Sequence, residues 1–115
     1  MIRKNSERVV ETKENLMGGE GEIYLKPYFS ADEMKAKCRL CSNVVIPPGS
    51  ALGLHPHNEE EEIYLIIKGK GIVVDDDVET EVGPGDAIIT GNGSSHSIRN
   101  ESSEDLEFVA VINCY

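Results

Sequence analysis

Turn-forming residues recur at short intervals through most of this chain, roughly every eight to twelve residues. The segments between them are short and rich in Val, Ile and Leu, which favour strands. Many short strands with little helix predict an all-β sandwich or barrel. The turn signals are Pro47-Pro48-Gly49, Lys68–Gly71, Asp75–Asp77, Gly83–Asp86 and Gly91–Gly93.

The sequence divides into an arm and a domain. Residues 1–21 are polar and end in a glycine-rich turn, so we expect a loosely held N-terminal arm. Residues 22–115 are expected to form a single β-barrel domain, because a chain of 115 residues fits one domain with one core. The segment Ser30–Met34 predicts an N-cap and at most one helical turn. The predicted strands are Glu22–Tyr28, Lys37–Ile46, Ile63–Ile67, Ile72–Val74, Val78–Val82, Ala87–Thr90 and Leu106–Ile112.

Two of the predicted strands are apolar on both faces. Ile63–Ile67 and Phe108–Ile112 carry apolar side chains at both parities, whereas a half-buried strand would alternate. One face of each strand is covered by the barrel interior, and the other needs a second sheet or a second subunit. We therefore expect a homodimer.

Composition and charge exclude several kinds of partner. Hydrophobic residues make up 39% of the chain, which rules against disorder. The formal net charge of −10 repels phosphate backbones, so we expect no nucleic-acid partner. No apolar run follows the basic pair Arg3-Lys4, and none approaches the ~20 residues that a membrane span needs. We therefore expect no signal peptide, no membrane association and a cytoplasmic location.

The three cysteines include a CxxC pair, which is one signal of zinc or redox chemistry. Cys38 and Cys41 lie in a predicted strand, however, where residues three apart face opposite sides. No second CxxC is present, and no helix begins after the first as in thioredoxin-like motifs. We interpret this pair and Cys114 as structural or incidental.

All three histidines of the chain lie in two glycine-containing stretches, Gly49–Gly69 and Gly85–Asn100. His55 and His57 are two residues apart, so on an extended segment they point the same way. Glu62 opens the next strand, where chain reversal can return it to that pair, and His96 belongs to the second stretch. Three imidazoles and a carboxylate suit Fe(II), Mn(II), Ni(II) or Zn(II) and leave room for water or substrate. We predict one divalent metal ion, with Mn or Fe favoured and Ni or Zn as alternatives.

The carboxylate has alternatives, because Glu62 follows a run of other glutamates, Glu59–Glu61. Parity along the strand distinguishes them. If Glu62 faces the interior, so do Tyr64 and Ile66. Ile63, Leu65 and Ile67 then face outward. Choosing Glu61 reverses that pattern and is the second choice, and we interpret the remaining glutamates as a solvated loop.

With these residues identified, the sequence resembles the cupin superfamily. The first cupin motif, G(X)5HXH(X)3–4E(X)6G, is matched by Gly49, His55, His57, Glu62 and Gly69. The second, G(X)5PXG(X)2H(X)3N, is matched by Gly85, Gly93, His96 and Asn100, with Gly91 where the family usually has proline. We expect Asn100 to fix a turn through its side chain.

The resemblance implies a double-stranded β-helix (jelly-roll barrel) of roughly six to eight strands, with the metal inside and usually a dimer. It also implies that His55, His57, Glu62 and His96 are the metal ligands. The single-domain form is similar to the small bacterial cupins of the cupin 2 type that are often described as oxalate-decarboxylase-like. True oxalate decarboxylases carry two cupin domains and an acidic lid loop, so we do not expect decarboxylation of oxalate itself.

Two main functions are compatible with such a metal. In the first, an enzyme uses it to polarise a small oxygen-rich carboxylate or oxo acid for oxidation, decarboxylation or isomerisation. In the second, a non-catalytic binding or sensing module uses it to anchor such a ligand, and a purely structural metal is a third alternative. The substrate-binding candidates are Arg39, Tyr64 and Tyr28, with Tyr24 and Lys26 considered beside them.

Overall fold

Ten strands make up the computed structural model, which describes the whole chain from Met1 to Tyr115. They are β1 (Glu11–Glu14), β2 (Glu22–Phe29), β3 (Cys38–Ile46), β4 (Ala51–Pro56), β5 (Glu60–Lys68), β6 (Gly71–Asp75), β7 (Val78–Val82), β8 (Ala87–Gly91), β9 (Ser95–Arg99) and β10 (Leu106–Cys114). The helical elements are 3₁₀ turns at Asn5–Glu7, Leu16–Gly18 and Ala31–Glu33. None of these turns has the length and hydropathy of a membrane-crossing helix.

The strands form two antiparallel sheets. The larger has the order β1-β2-β3-β10-β5-β8, and the smaller has the order β4-β9-β6-β7. The predicted all-β, single-domain jelly roll is confirmed. The turn predicted at Asp75–Asp77 joins β6 to β7, with Asp75 paired to Val78.

The core lies between the sheets and is built from alternate residues of each strand. On β10, Leu106, Phe108, Ala110 and Ile112 are buried, while the residues between them are only partly covered. Alternation of this kind turns one face of a strand toward the core. The same parity on β5 turns Glu62, Tyr64 and Ile66 inward.

The outer face of the larger sheet is also apolar. Leu65, Ile67 and Ile89, on the neighbouring strands β5 and β8, are 45%, 47% and 60% exposed. The smaller sheet covers the inner face of the larger one and leaves this outer surface open. The homodimer that the sequence pattern indicates stays a prediction.

The segment before residue 22 contributes an edge strand to the larger sheet, because β1 pairs with β2. Ahead of β1, Arg8 donates from Nε to the carbonyl oxygen of Pro27 at 3.0 Å and from Nη2 to that of Lys26 at 2.5 Å. Its guanidinium lies over the ring of Tyr28, 3.8 Å from the ring centroid. Part of the predicted arm is therefore attached to the sheet, and the domain boundary at residue 22 stays a prediction.

The three cysteines are free, partly buried thiols. The Sγ of Cys38 donates to the carbonyl oxygen of Leu40 at 3.3 Å, and burial raises the pKa of Cys41. None of them belongs to the one grouping of metal-ligating side chains in the molecule.

Candidate metal centre

Four buried side chains meet between the two sheets, as the sequence predicts. His55, near the end of β4, pairs with His96 on β9. His57 directly follows β4, and its backbone N–H donates to the carbonyl oxygen of Ser94 at 3.0 Å. Glu62 reaches the histidines from β5 of the larger sheet. Packing of the two sheets therefore brings together residues from β4, β5 and β9 and the residue that follows β4.

The donor atoms of these four residues all lie within 4.8 Å of one another. Nε2 of His96 is 3.0 Å from Nε2 of His57 and 3.1 Å from Nε2 of His55. Oε1 of Glu62 is 3.0 Å from Nε2 of both His57 and His96, and 3.9 Å from that of His55. Three imidazole nitrogens and one carboxylate oxygen thus face a common point.

Hydrogen bonds on the far side of two rings determine which nitrogen faces that point. Nδ1 of His55 lies 2.7 Å from the carbonyl oxygen of Gly53, which can only accept, so Nδ1 carries the proton. Nδ1 of His57 lies 2.5 Å from Oε2 of Glu60 and donates to it. Each Nε2 is then left with a lone pair toward the centre, which is the metal-binding form of the ring.

Glu60 contacts the candidate site, which the sequence interpretation missed because it placed this glutamate in a solvated loop. Besides accepting from His57, its carboxylate accepts from Nε and Nη2 of Arg39 at 2.9 and 2.8 Å. Arg39, with a further contribution from His57, lowers the pKa of Glu60 to about 2, so the acceptor is ionised. The sequence signal for this contact was the position of Glu60 three residues after His57. In the structure the two residues are joined by a turn in which Glu59 has φ of 56°.

Glu62 is ionised as well, although it is buried. Burial by itself raises the pKa of a carboxyl group, but the surrounding histidines outweigh burial and lower the pKa of Glu62 to about 2. Burial opposes the charged form of His55, while Glu62 and the Gly53 carbonyl favour it, and the net pKa of His55 is raised. The centre therefore combines one anion with three imidazoles.

These residues fit a divalent cation. Oε1 of Glu62 is buried without a hydrogen-bond partner, which is rare for a buried carboxylate oxygen. The Nε2 lone pairs of His55 and His57 converge on the same point, where they repel unless a proton or cation lies between them. The donor set is one that first-row divalent metals bind. His55, His57, Glu62 and His96 are therefore a candidate metal site.

Tyr64 lies beside this centre. Its hydroxyl is 3.4 Å from Nε2 of His96, and the two rings are stacked with centroids 4.9 Å apart. Burial, with the nearby charge of Glu62, raises the pKa of Tyr64 well above its ordinary value. The phenol is therefore protonated at neutral pH and available as a hydrogen-bond donor.

A cavity of about 370 Å³ opens next to the centre. Of the predicted substrate-binding residues, Tyr64 and Arg39 line it. Tyr28 is not brought there, because its ring packs against Arg8 in a separate groove of the N-terminal segment. Tyr24 and Lys26 also lie outside the cavity, with side chains bonded to Glu22 and Asn5 respectively.

Asn100 joins the end of β9 to its surroundings, as its place in the second motif predicts. Its Nδ2 donates to the carbonyl oxygens of Ile46 at 2.8 Å and Glu104 at 2.7 Å. Its Oδ1 accepts from the backbone N–H of Ser102 at 2.9 Å. These bonds fix the turn after β9, the strand that carries His96.

Comparison with known proteins gives relatives over the whole chain. A Thermotoga maritima protein named oxalate-binding protein is 41% identical over 112 residues, which are 97% of this chain and 93% of that protein. A crystal structure from Thermotoga maritima, described as a predicted oxalate decarboxylase, has a TM-score of 0.95 at 40% identity and covers all of both chains. A cupin-2 domain from Rhodospirillum rubrum shares the fold, with a TM-score of 0.76 at 17% identity over all of this chain and 74% of that one.

The sequence pattern of the family described as Cupin domain matches residues 42–112. This match includes all four residues of the candidate metal site and both strands that are apolar on each face. With the full-length likeness to the Thermotoga maritima protein, it shows that this chain belongs to the cupin family.

Proposed function

We propose that this cupin is a metal-dependent enzyme that acts on a small oxygen-rich carboxylate or oxo acid by oxidation, decarboxylation or isomerisation. One observation carries the proposal: three imidazole nitrogens and an ionised, unpartnered carboxylate oxygen converge at the end of a cavity. The name of the oxalate-binding relative supports a small carboxylate as the ligand.

Each residue of the centre has a distinct task in this proposal. His55, His57, Glu62 and His96 would hold the metal, with Mn or Fe favoured and Ni or Zn as alternatives. When bound, such a metal supplies Lewis acidity that polarises a carbonyl or carboxylate oxygen. A metal held by these four residues would leave room for a small acid beside them.

The neighbouring residues orient the acid and shield it from water. The protonated hydroxyl of Tyr64, next to His96, is placed to donate a hydrogen bond to an oxygen of the acid. Arg39 lines the same cavity but already donates two hydrogen bonds to Glu60. We therefore assign Arg39 mainly to positioning Glu60, and through it His57. The apolar remainder of the wall excludes bulk water, which strengthens the polar contacts inside.

A non-catalytic binding module is the second candidate function. The relative's name refers to binding rather than to turnover, and that observation favours this alternative. Both candidates use the same metal and the same class of acid, so they differ only in whether the acid is chemically changed.

Incubation of manganese- or iron-loaded protein with oxalate, glyoxylate and pyruvate, followed by NMR of the acids, tests the proposal. We expect metal-dependent conversion of at least one acid, with metal-free protein as the control. Binding measured by calorimetry without any conversion would assign the second function. Failure of the metal-loaded protein to bind or convert any acid would overturn both.

A further inference from the structure

The cavity beside the metal centre changes in chemistry across the larger sheet. Its end at β5 is lined by Glu62 and Tyr64. On the next strand, β10, Ala110 pairs with Tyr64, and beyond it Val44 of β3 pairs with Leu25 of β2. Three strand spacings separate β5 from β2, or about 14 Å. A polar end thus leads into an apolar floor.

The apolar part is large for a ligand made only of oxygen-bearing carbons. Ten of the sixteen residues lining the cavity are hydrophobic, and its volume of about 370 Å³ lies in the range of sites for small organic ligands. Oxalate consists of two joined carboxylates and would meet only the polar end. Two cations line the cavity, but Arg39 is paired with Glu60 and Lys13 belongs to the exposed edge strand β1.

A second wall of the apolar part, called the roof below, is formed by Leu16 and Met17. Both residues belong to the 3₁₀ turn before β2, and Met17 is 55% exposed. This turn lies so close to β4 that a Cβ added to Gly53 would stand 2.0 Å from the carbonyl oxygen of Met17. Met17 also adopts a left-handed φ of 54°. A flexible methionine in such a position accommodates apolar groups of varied shape.

From these features we infer that the ligand is an amphipathic acid: a carboxylate or 2-oxo acid head at the metal centre with an apolar chain lying over β10, β3 and β2. The inference rests on the metal-dependent acid recognition proposed above and extends it to the rest of the ligand. Each methylene that enters the apolar part leaves water and increases the affinity.

A series of 2-oxo acids with increasing chain length tests this inference on the manganese-loaded full chain. Calorimetric Kd values are measured for pyruvate, 2-oxobutanoate, 2-oxopentanoate and 2-oxohexanoate, with oxalate alongside. We expect Kd to fall about fourfold for each added methylene, or about 60-fold over the series. A Kd that stays level or rises along the series, while pyruvate and oxalate still bind, would overturn the inference and leave the proposed function standing. If neither pyruvate nor oxalate binds, the proposed function itself fails.

Two matched variants test whether the roof contacts the apolar chain and so causes the increase in affinity per methylene. Leu16→Ser makes the roof polar and should reduce the improvement in Kd per methylene to less than about twofold. Leu54→Ser changes a leucine that is 62% exposed and does not line the cavity, so the fourfold steps should persist. Equal steps in the two variants would count against the roof as a contact of the chain. The series on the unsubstituted protein decides the inference even if Leu16→Ser does not fold.

Discussion

The two nitrogens of each histidine ring have different tasks at this centre, and the outer one is held differently in each ring. His55 donates to a backbone carbonyl, and His57 donates to the ionised side chain of Glu60. The outer nitrogen of His96 is buried without a partner. Of these arrangements, only the one at His57 depends on a side chain that can be changed by substitution. A substitution at Glu60 therefore tests how the orientation of His57 affects metal binding, while His57 itself is left unchanged.

Glu60→Gln should weaken metal affinity by about 10- to 100-fold, the usual effect of losing such a supporting carboxylate. The amide keeps the size of the side chain but loses the charge that the N–H of His57 and the guanidinium of Arg39 both contact. Competition with a metal-binding dye gives the affinity. Glu61→Gln is the matched control, since Glu61 lies on the opposite face of β5 from Glu62. Equal affinities for the two variants would contradict the role of Glu60.

Tyr64→Phe should reduce the affinity for pyruvate or oxalate by about fivefold to tenfold, which corresponds to about 1 kcal/mol for one hydrogen bond. Metal content should remain that of the unsubstituted protein, because the hydroxyl is not among the four donor atoms. Calorimetry on the metal-loaded variant measures the change. Unaltered acid affinity would remove Tyr64 from the ligand contacts.

Single-residue chemistry made the buried cluster of three histidines and Glu62 predictable, because each residue type and spacing carries its own signal. Glu62 could be preferred over Glu61 from the parity of β5. Glu60 could not be identified, because its task depends on the side-chain positions of His57 and Arg39, which are far apart in sequence. Tyr28 was proposed for the cavity because the sequence does not show that Arg8 stacks on it.

Among the elements, the β6–β7 hairpin shows how closely turn residues reflect local geometry. Asp76 and Asp77 both have left-handed backbone conformations, with φ of 49° and 63°. A two-residue hairpin turn of this kind favours Asn-Gly or Asp-Gly, since glycine adopts positive φ without strain. The run of three aspartates therefore predicts the turn, although another sequence would form a more stable turn.

Asp77→Gly should stabilise the protein by about 0.5 kcal/mol by removing the left-handed strain, less the entropy that glycine loses on folding. Thermal unfolding should show a rise in Tm of about 2 °C for a domain of this size. Asp75→Gly, within β6, is the control and should lower Tm. A lower Tm for Asp77→Gly would show that the aspartate makes a contact worth more than the strain.

Strand β1 is an element that the sequence does not predict. Its sequence, Glu-Thr-Lys-Glu, has no apolar residue, and all four positions are exposed. Nothing in such a segment distinguishes a strand from a polar arm. Its conformation depends on pairing with β2 and on the contacts of Arg8, which are tertiary interactions.

At the scale of the whole molecule, the outer face of the larger sheet is the feature that a single barrel does not cover. Leu65, Ile67 and Ile89 form an apolar surface on adjacent strands. We propose that a second copy of the chain covers this surface in a homodimer. The sequence predicted the uncovered face from its pattern, but no pattern in one chain specifies the geometry of a dimer.

Ile89→Asp should raise the dimer dissociation constant by about tenfold or more, because it places a charge in the apolar interface. Sedimentation velocity over micromolar concentrations measures it. Val78→Asp, at a comparably exposed valine of the smaller sheet, should leave the association unchanged. A monomer for the unsubstituted protein, or the same effect from both variants, would contradict this interface.

Elemental analysis of the purified full chain determines whether His55, His57, Glu62 and His96 hold one metal ion. The unsubstituted protein should carry one divalent metal per chain. His57→Ala and His96→Ala should carry a small fraction of that, because each loses one of the converging nitrogens, while Glu61→Gln should keep the full amount. Circular dichroism establishes that the variants are folded. A metal content that is the same in both histidine variants as in the unsubstituted protein would show that this cluster does not hold the metal.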